Sequence, residues 1–161
     1  MKKLILLLLI TNTSFAFDFK SEGKEFSQKF IFQESESPIW GFDFLDNQNI
    51  IFTEKDGKLK LINLTTKKIS TLKDDFSRID TGGQGGLLDI LIHKSSDETH
   101  LFITYSYRDK SKKTTALFHA ILKENKLTEE KIIYKANAYE LTSHHYGSRL
   151  VIQKDYLFMT V

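Results

Sequence analysis

Two short segments hold residue types that can do chemistry at close quarters. The first is Gly82-Gly83-Gln84-Gly85-Gly86, running into Leu87-Leu88-Asp89-Ile90-Leu91-Ile92-His93. Glycines at that density let the backbone take positive φ and come close to a ligand, and Gln84 is the one polar side chain the loop projects. A phosphate loop is the natural rival. It fails because no Lys-Ser/Thr follows and the next segment reads as a strand, so no helix N-terminus is there to hold an anion. The second segment is Ser143-His144-His145-Tyr146-Gly147-Ser148-Arg149-Leu150. An imidazole, with an ordinary pKa of about 6.5, keeps a usable neutral fraction at neutral pH and can serve as a general base. Neighbouring side chains on a regular strand point to opposite faces, so His144 and His145 would share a metal only if the backbone turned between them. As bare residues, both segments read more readily as loop structure than as a site.

The other candidates are blander. His93, His100 and His119 fall in or at the ends of expected strands, lack a neighbouring carboxylate pattern, and read as structural or surface residues. Arg108 to Lys113 reads as a solvated loop. Asn63-Leu64-Thr65 matches a glycosylation acceptor, which has meaning only in a eukaryotic secretory pathway. There is no Cys in the 161 residues, which removes thiolate nucleophiles, iron–sulfur clusters and Cys-based zinc sites. The net charge of +2 comes from interspersed acids and bases, an ordinary solvated surface with no nucleic-acid footprint.

The elements that must position these segments read as strands. Short runs rich in Ile, Phe, Thr, Tyr and Leu alternate with Asp, Asn, Gly and Lys clusters, and helical periodicity is weak. The expected strands are Lys29–Gln33, Trp40–Leu45, Ile50–Glu54, Lys58–Asn63, Lys68–Leu72, Leu87–His93, Leu101–Tyr107, Ala116–Leu122, Lys131–Lys135, Arg149–Gln153 and Leu157–Val161. The single Pro, Pro38, stands at a strand entry, where a missing N–H does no harm. Three pairs of strands resemble one another: each has a small-residue entry, an apolar strand, a turn and an apolar strand carrying Thr53, Thr104 or Thr160. Those threonines lie 51 and then 56 residues apart. Spacing on the order of 40–50 residues with four strands per unit is that of propeller blades, here with longer loops. A sandwich is the rival fold. On the blade reading, residues 40–72 form one blade, 87–135 a second, and 149–161 half of a third.

The front end reads as a secretory signal. Lys2 and Lys3 form a positive n-region, Leu4 to Ile10 an apolar core, and Ser14-Phe15-Ala16 a cleavage site, so the mature chain is expected to begin at Phe17. The apolar run is far below the roughly 20 residues that span a bilayer. A periplasmic or secreted protein, not membrane-bound after signal removal, is expected. The mature length suits one domain, and the sequence's 13 Phe, all but Phe15 beyond the expected signal, and 6 Tyr supply apolar area for its core.

Together the two motifs resemble the glucose/sorbosone dehydrogenase family, soluble sugar dehydrogenases that use pyrroloquinoline quinone, and its aldose sugar dehydrogenase branch in particular. The resembling stretches are Trp40-Gly41-Phe42-Asp43-Phe44-Leu45, Thr53-Glu54-Lys55-Asp56-Gly57-Lys58-Leu59-Lys60-Leu61, Gly83-Gln84-Gly85-Gly86-Leu87-Leu88-Asp89 and His144-His145-Tyr146-Gly147-Ser148-Arg149-Leu150, in family order. The last two are specific; the first two are common in propellers. The resemblance implies an all-β fold, a six-bladed β-propeller of which this chain is an incomplete arc of about two and a half blades. It also implies a central cleft holding the quinone and Ca²⁺, an aldose substrate, and oxidation of its C1 hydroxyl to a lactone. His145 matches the family's general base, Gln84 a loop glutamine beside cofactor and sugar, and His144 the flanking position, which is Asp in the glucose-type branch. Arg149 matches a family arginine.

Departures from the family pattern are Pro38-Ile39-Trp40-Gly41 for Pro-Trp-Gly, Lys94 for the Pro after the strand-ending His, and Asp46-Asn47-Gln48-Asn49 for a Pro-Asp-Gly turn. A larger one is expected at Val161, inside an apolar strand. In the family the strand runs on into Gly-Asp, and later blades carry the Arg, Asn and Lys contacts to the quinone and the ligands of Ca²⁺. The chain is therefore expected to be an N-terminal portion, inactive alone and without cofactor binding for want of cationic clamps, with open sheet edges that favour association. Two alternatives stay open: a non-catalytic partial propeller that binds sugar or protein, and a lactonase-type propeller using only a metal.

Overall fold

A computed structural model describes residues 17–28, 30–32 and 37–161. The expected signal, Met1 to Ala16, lies outside the described residues. The described residues divide into two compact units, one up to residue 32 and one from residue 37. In the first, β1 (Phe17–Ser21) pairs antiparallel with β2 (Lys24–Gln28). Glu22 and Gly23 turn the chain with φ of 49° and 74°, the positive pair that a two-residue type I′ hairpin requires. Phe19 stacks on Phe26 at 5.2 Å, and Lys20 pairs with Glu25 at 2.7 Å. This hairpin differs from the expected strand at Lys29–Gln33: residues 30–32 are not in a strand, and 29 and 33 lie outside the described residues. Charged residues dilute the apolar alternation of 17–28, which hides it from a pattern reading.

The second unit is built from antiparallel meanders. The first sheet is β3 (Ile39–Phe44), β4 (Asn49–Glu54), β5 (Leu59–Asn63) and β6 (Ile69–Lys73), paired in chain order. The second is β7 (Leu87–Lys94), β8 (Thr99–Asp109), β9 (Lys112–Lys123) and β10 (Lys126–Lys135), also in chain order. β11 (Leu150–Gln153) and β12 (Tyr156–Met159) form a two-stranded third sheet. All the regular elements among the described residues are strands, and none of the sheets closes on itself. This is the two-and-a-half-blade arc expected, with boundaries shifted by a few residues. The largest shift is in β10, which starts five residues early at Lys126, and β8 and β9 run on to a turn at Lys110-Ser111, so Arg108 to Lys113 is a hairpin end and not the expected loop.

The core lies between the first two sheets. Ile51, Leu59 and Leu61 face Leu87, Ile90, Leu101, Ile103, Phe118 and Ala120, and Phe76 from the connection between sheets wedges against Tyr105 and Phe118 at 5.7 and 5.0 Å. Alternate residues of β5, β8 and β9 supply most of these side chains, as a two-residue period demands, while a register shift in β7 separates Leu87 from Ile90.

The repeated threonines turn out to be the stitches of this packing. Thr53 Oγ1 accepts from the Gly41 amide at 2.9 Å and donates across to the Leu88 carbonyl at 2.9 Å. Thr104 Oγ1 accepts from the Asp89 amide at 3.0 Å and donates to the Ser148 carbonyl at 3.0 Å. Thr160 Oγ1 accepts from the Arg149 amide at 3.0 Å, the same relation a third time. Carboxylates reinforce both seams: Asp43 Oδ2 takes the Ile92 amide at 2.7 Å, and Asp89 Oδ2 takes the Leu150 amide at 2.8 Å. At the first seam only a glycine fits, because a Cβ on residue 41 would stand 2.7 Å from the Leu88 oxygen. Each bond satisfies a polar group that burial between sheets would otherwise strand.

Candidate functional site

The glycine loop and the histidine segment, some sixty positions apart in the chain, meet over the hairpin end of β8 and β9. Three backbone pairings bring them there. Arg78 and Asp80 exchange backbone hydrogen bonds with the end of β8, at 2.8 and 2.9 Å, and Glu140 does so with Lys113 at the start of β9, at 2.7 and 2.8 Å. The loop then closes a tight turn through the Gly85 amide and Gly82 carbonyl at 2.7 Å. Gly83 has φ of 51°, and a Cβ there would lie 2.6 Å from the Ser143 oxygen, so the turn needs a residue without one.

Gln84 joins the two segments twice. Its amide donates to the Ser143 carbonyl at 2.7 Å, and its side-chain Oε1 accepts the His145 amide at 2.9 Å. That leaves the NH₂ end of the side chain for a ligand. Residues 143–149 form no regular strand, and His145 itself is in the left-handed region with φ of 61°. The backbone therefore does turn between the two histidines, whose ring centroids are 6.3 Å apart. A non-glycine residue held there costs on the order of 1–3 kcal/mol and persists only where its surroundings over-determine it. Both imidazoles are exposed.

What over-determines His145 is Asp80, a residue that no local pattern marks. Asp80 is fully buried. Its Oδ2 accepts the Ser143 hydroxyl at 2.8 Å and the Tyr146 hydroxyl at 3.1 Å, residues that flank the two histidines. Its Oδ1 accepts Arg108, and Lys113 Nζ stands 3.9 Å from Oδ2 while donating to Ser143 Oγ at 2.7 Å. Arg108 and Lys113 sit directly opposite each other across the hairpin, a like-charge pairing that is unfavourable unless an anion lies between them. Burial opposes ionisation of Asp80, but the bonds from Arg108, Ser143 and Tyr146 and the charge of Lys113 outweigh it and hold the carboxyl below its ordinary range. Burial and the adjacent Asp80 carboxylate push the Tyr146 hydroxyl up to about 12, so it stays a donor. The sequence signal for this hub was faint: one acid just ahead of a glycine run, and two cations either side of a short turn.

The far end of the segment is anchored as well. Thr115 Oγ1 donates to the Tyr146 carbonyl, Arg149 Nη1 pairs with Asp89 Oδ1 at 3.2 Å, and β11 begins on the Asp89 seam. Gln84, His144 and His145 thus share one rim. His93, His100 and His119 do not join them.

Those three come together instead on neighbouring strands of the second sheet. His100 Nδ1 and His119 Nε2 are 3.0 Å apart, with the His93 ring tilted against His100 at 6.3 Å and Glu98 3.8 Å from His100 Nε2. A carboxylate therefore does accompany them, supplied by the β7–β8 turn. His119 is buried with Nδ1 unpartnered, and burial, His100 and Lys131 hold its pKa down, against Glu129 and Glu98.

Among the described residues, no group of three or more His, Asp or Glu side chains is placed to hold a metal ion. These residues do not by themselves make a Ca²⁺ site. For an anionic quinone the cations near the rim are already committed, Arg149 to Asp89 and Lys113 to Asp80 and Ser143. The rim fits as one wall of a cofactor cleft, with a neutral amide and imidazoles, and does not supply the charge such a group carries. No helix among the described residues is long and apolar enough to cross a membrane.

A family model described as glucose/sorbosone dehydrogenase matches residues 35–161. A protein of Synechocystis sp. described only as uncharacterized is 27% identical over 121 residues, 69% of this chain and 29% of that protein. The chain thus spans less than a third of the length of the curated relative it matches. No solved structure matches.

Proposed function

Because the chain belongs to the glucose/sorbosone dehydrogenase family, we propose that it forms the base-bearing wall of a quinone-dependent aldose dehydrogenase. The observation that carries this reading is the Gln84–His145 junction: the two motifs that could do chemistry are tied to one rim by a 2.9 Å bond. His145 takes the C1 hydroxyl proton of an aldose, a step that needs a neutral imidazole open to substrate. Gln84 holds the His145 backbone by its carbonyl end and offers its amide NH₂ to the sugar or cofactor. His144 lines the same rim beside the base. Pyrroloquinoline quinone, with Ca²⁺, would supply the hydride acceptor. Its carboxylates and the cation require ligands from outside this rim, so this wall alone is expected to be inactive as a dehydrogenase. The lysine-led, apolar N-terminus supports export to the periplasm as the setting.

The test is dye reduction by the full-length protein, reconstituted with pyrroloquinoline quinone and Ca²⁺ and offered a panel of aldoses. Quinone-dependent reduction that is lost in His145→Ala is the expected result. No reduction with any aldose, or undiminished reduction in that variant, would sink the assignment.

A further inference from the structure

We propose that Asp80 is the positioning residue of this site, its carboxylate fixing where the His145 imidazole stands relative to the bound sugar. The inference rests on His145 being the base.

The geometry leads there in steps. His145 occupies a left-handed conformation that its own chain does not favour, so something outside residues 143–147 must hold it. Gln84 holds the amide of His145 itself. The residue two before it, Ser143, and the residue after it, Tyr146, both donate to one oxygen of Asp80. A single carboxylate oxygen therefore pins both sides of the turn, and His145 is the apex between the pins. The pin is rigid because Asp80 is wholly enclosed, with Arg108 on its other oxygen and Lys113 bridging to Ser143. The Asp80 amide bonds to the Ser106 carbonyl at 2.9 Å, so the carboxylate is referred to the frame of β8 and not to a loop. A base on an exposed loop would otherwise sample many positions, and misplacement by about 1 Å can cost a hundredfold in rate.

Asp80→Asn strips two cations of their counter-charge and endangers the fold, so the decisive variants are Tyr146→Phe and Ser143→Ala. Each deletes one hydroxyl donor and leaves the Asp80–Arg108 pair in place. In the full-length protein with pyrroloquinoline quinone, Ca²⁺ and the best aldose of the panel, each should lower kcat by about 10- to 100-fold with KM within about twofold, the pattern of a lost transition-state alignment. Hydrogen exchange at the His145 amide should speed up by about tenfold while the urea midpoint stays within error. An unchanged kcat, a change confined to KM, or a loss that follows the urea midpoint would overturn the positioning role. If the wild type turns over no aldose, the proposed function falls and amide exchange alone decides: faster exchange in Tyr146→Phe upholds Asp80 as the pin of this turn, and unchanged exchange overturns it.

Discussion

The five histidines divide between two regions that differ in nearly every physical respect. His144 and His145 stand exposed on an irregular loop whose backbone is held at Ser143, His145, Tyr146, Ser148 and Leu150 by groups on other elements. His93, His100 and His119 lie on three adjacent strands, where the rings meet one another and Phe102. In the first region the backbone is constrained and the imidazoles are left open. In the second, the rings pack on one another, from exposed His93 through half-buried His100 to buried His119, and the backbone is ordinary sheet. Constraint on the chain with freedom at the ring is what a general base needs, whereas a ring committed to its neighbours serves the sheet.

That contrast is sharpest at the base itself. His145→Ala should reduce kcat by about 10²- to 10⁴-fold, the usual worth of a positioned general base. Thermal melting should show almost no change, because the ring is exposed. A stability loss comparable to that of a core mutation would erase the distinction between the two regions.

Asp80→Asn comes next. Leaving Arg108 and Lys113 without their anion should destabilise the fold by about 3 kcal/mol, the low end for a broken buried pair because Arg108 is half exposed. The pH dependence follows from the lowered carboxyl. The folded state binds its proton less readily than the unfolded chain, whose aspartates titrate at about 3.9. The contribution of Asp80 is thus complete above about pH 4 and is lost as pH falls through its folded value. Urea midpoints of wild type and variant should therefore converge in that acid range, and a gap that is constant down to pH 3 would refute the role assigned to the charge.

Gly83→Ala tests the contact between the glycine loop and the histidine segment. The positive φ costs about 1–2 kcal/mol for a residue with a Cβ, and the Ser143 carbonyl must also move. Both stability and aldose turnover should fall, because this turn carries Gln84. A variant with normal turnover would separate Gln84 from the base.

The smallest effect is expected at His119. Its pKa is held below the ordinary value, so the unfolded state takes up a proton first as pH drops below about 6.5, and folding stability declines from there. His119→Phe, packed beside Phe102, should be within about 1 kcal/mol of wild type at pH 7 and lose less stability between pH 7 and 5. Chemical denaturation across that range measures it. An identical slope in the variant would show that His119 does not carry this dependence.

Much of this was legible in the residues themselves. The period-two apolar runs located most strands of residues 39–159, since alternate burial on a two-faced sheet writes itself directly into the chain. The recurrence of threonine was visible too, although its meaning as a seam was not. The hairpin of β1 and β2 escaped because its charges mask the alternation. Asp80 escaped for a different reason. Its partners Arg108, Ser143 and Tyr146 are 28, 63 and 66 positions away, and no local pattern marks a residue whose role is to be surrounded.

The order of residues by itself determined the all-β architecture, the family and the two segments able to do chemistry, because strand period, turn residues and motif spacing are short-range properties of the chain. Tertiary structure alone decided which of those residues meet. It joined Gln84 to His145, set one buried carboxylate beneath the turn and gathered the other histidines into the sheet. Such meetings depend on how sheets stack and hairpins overhang, and those are long-range relations that no stretch of sequence contains.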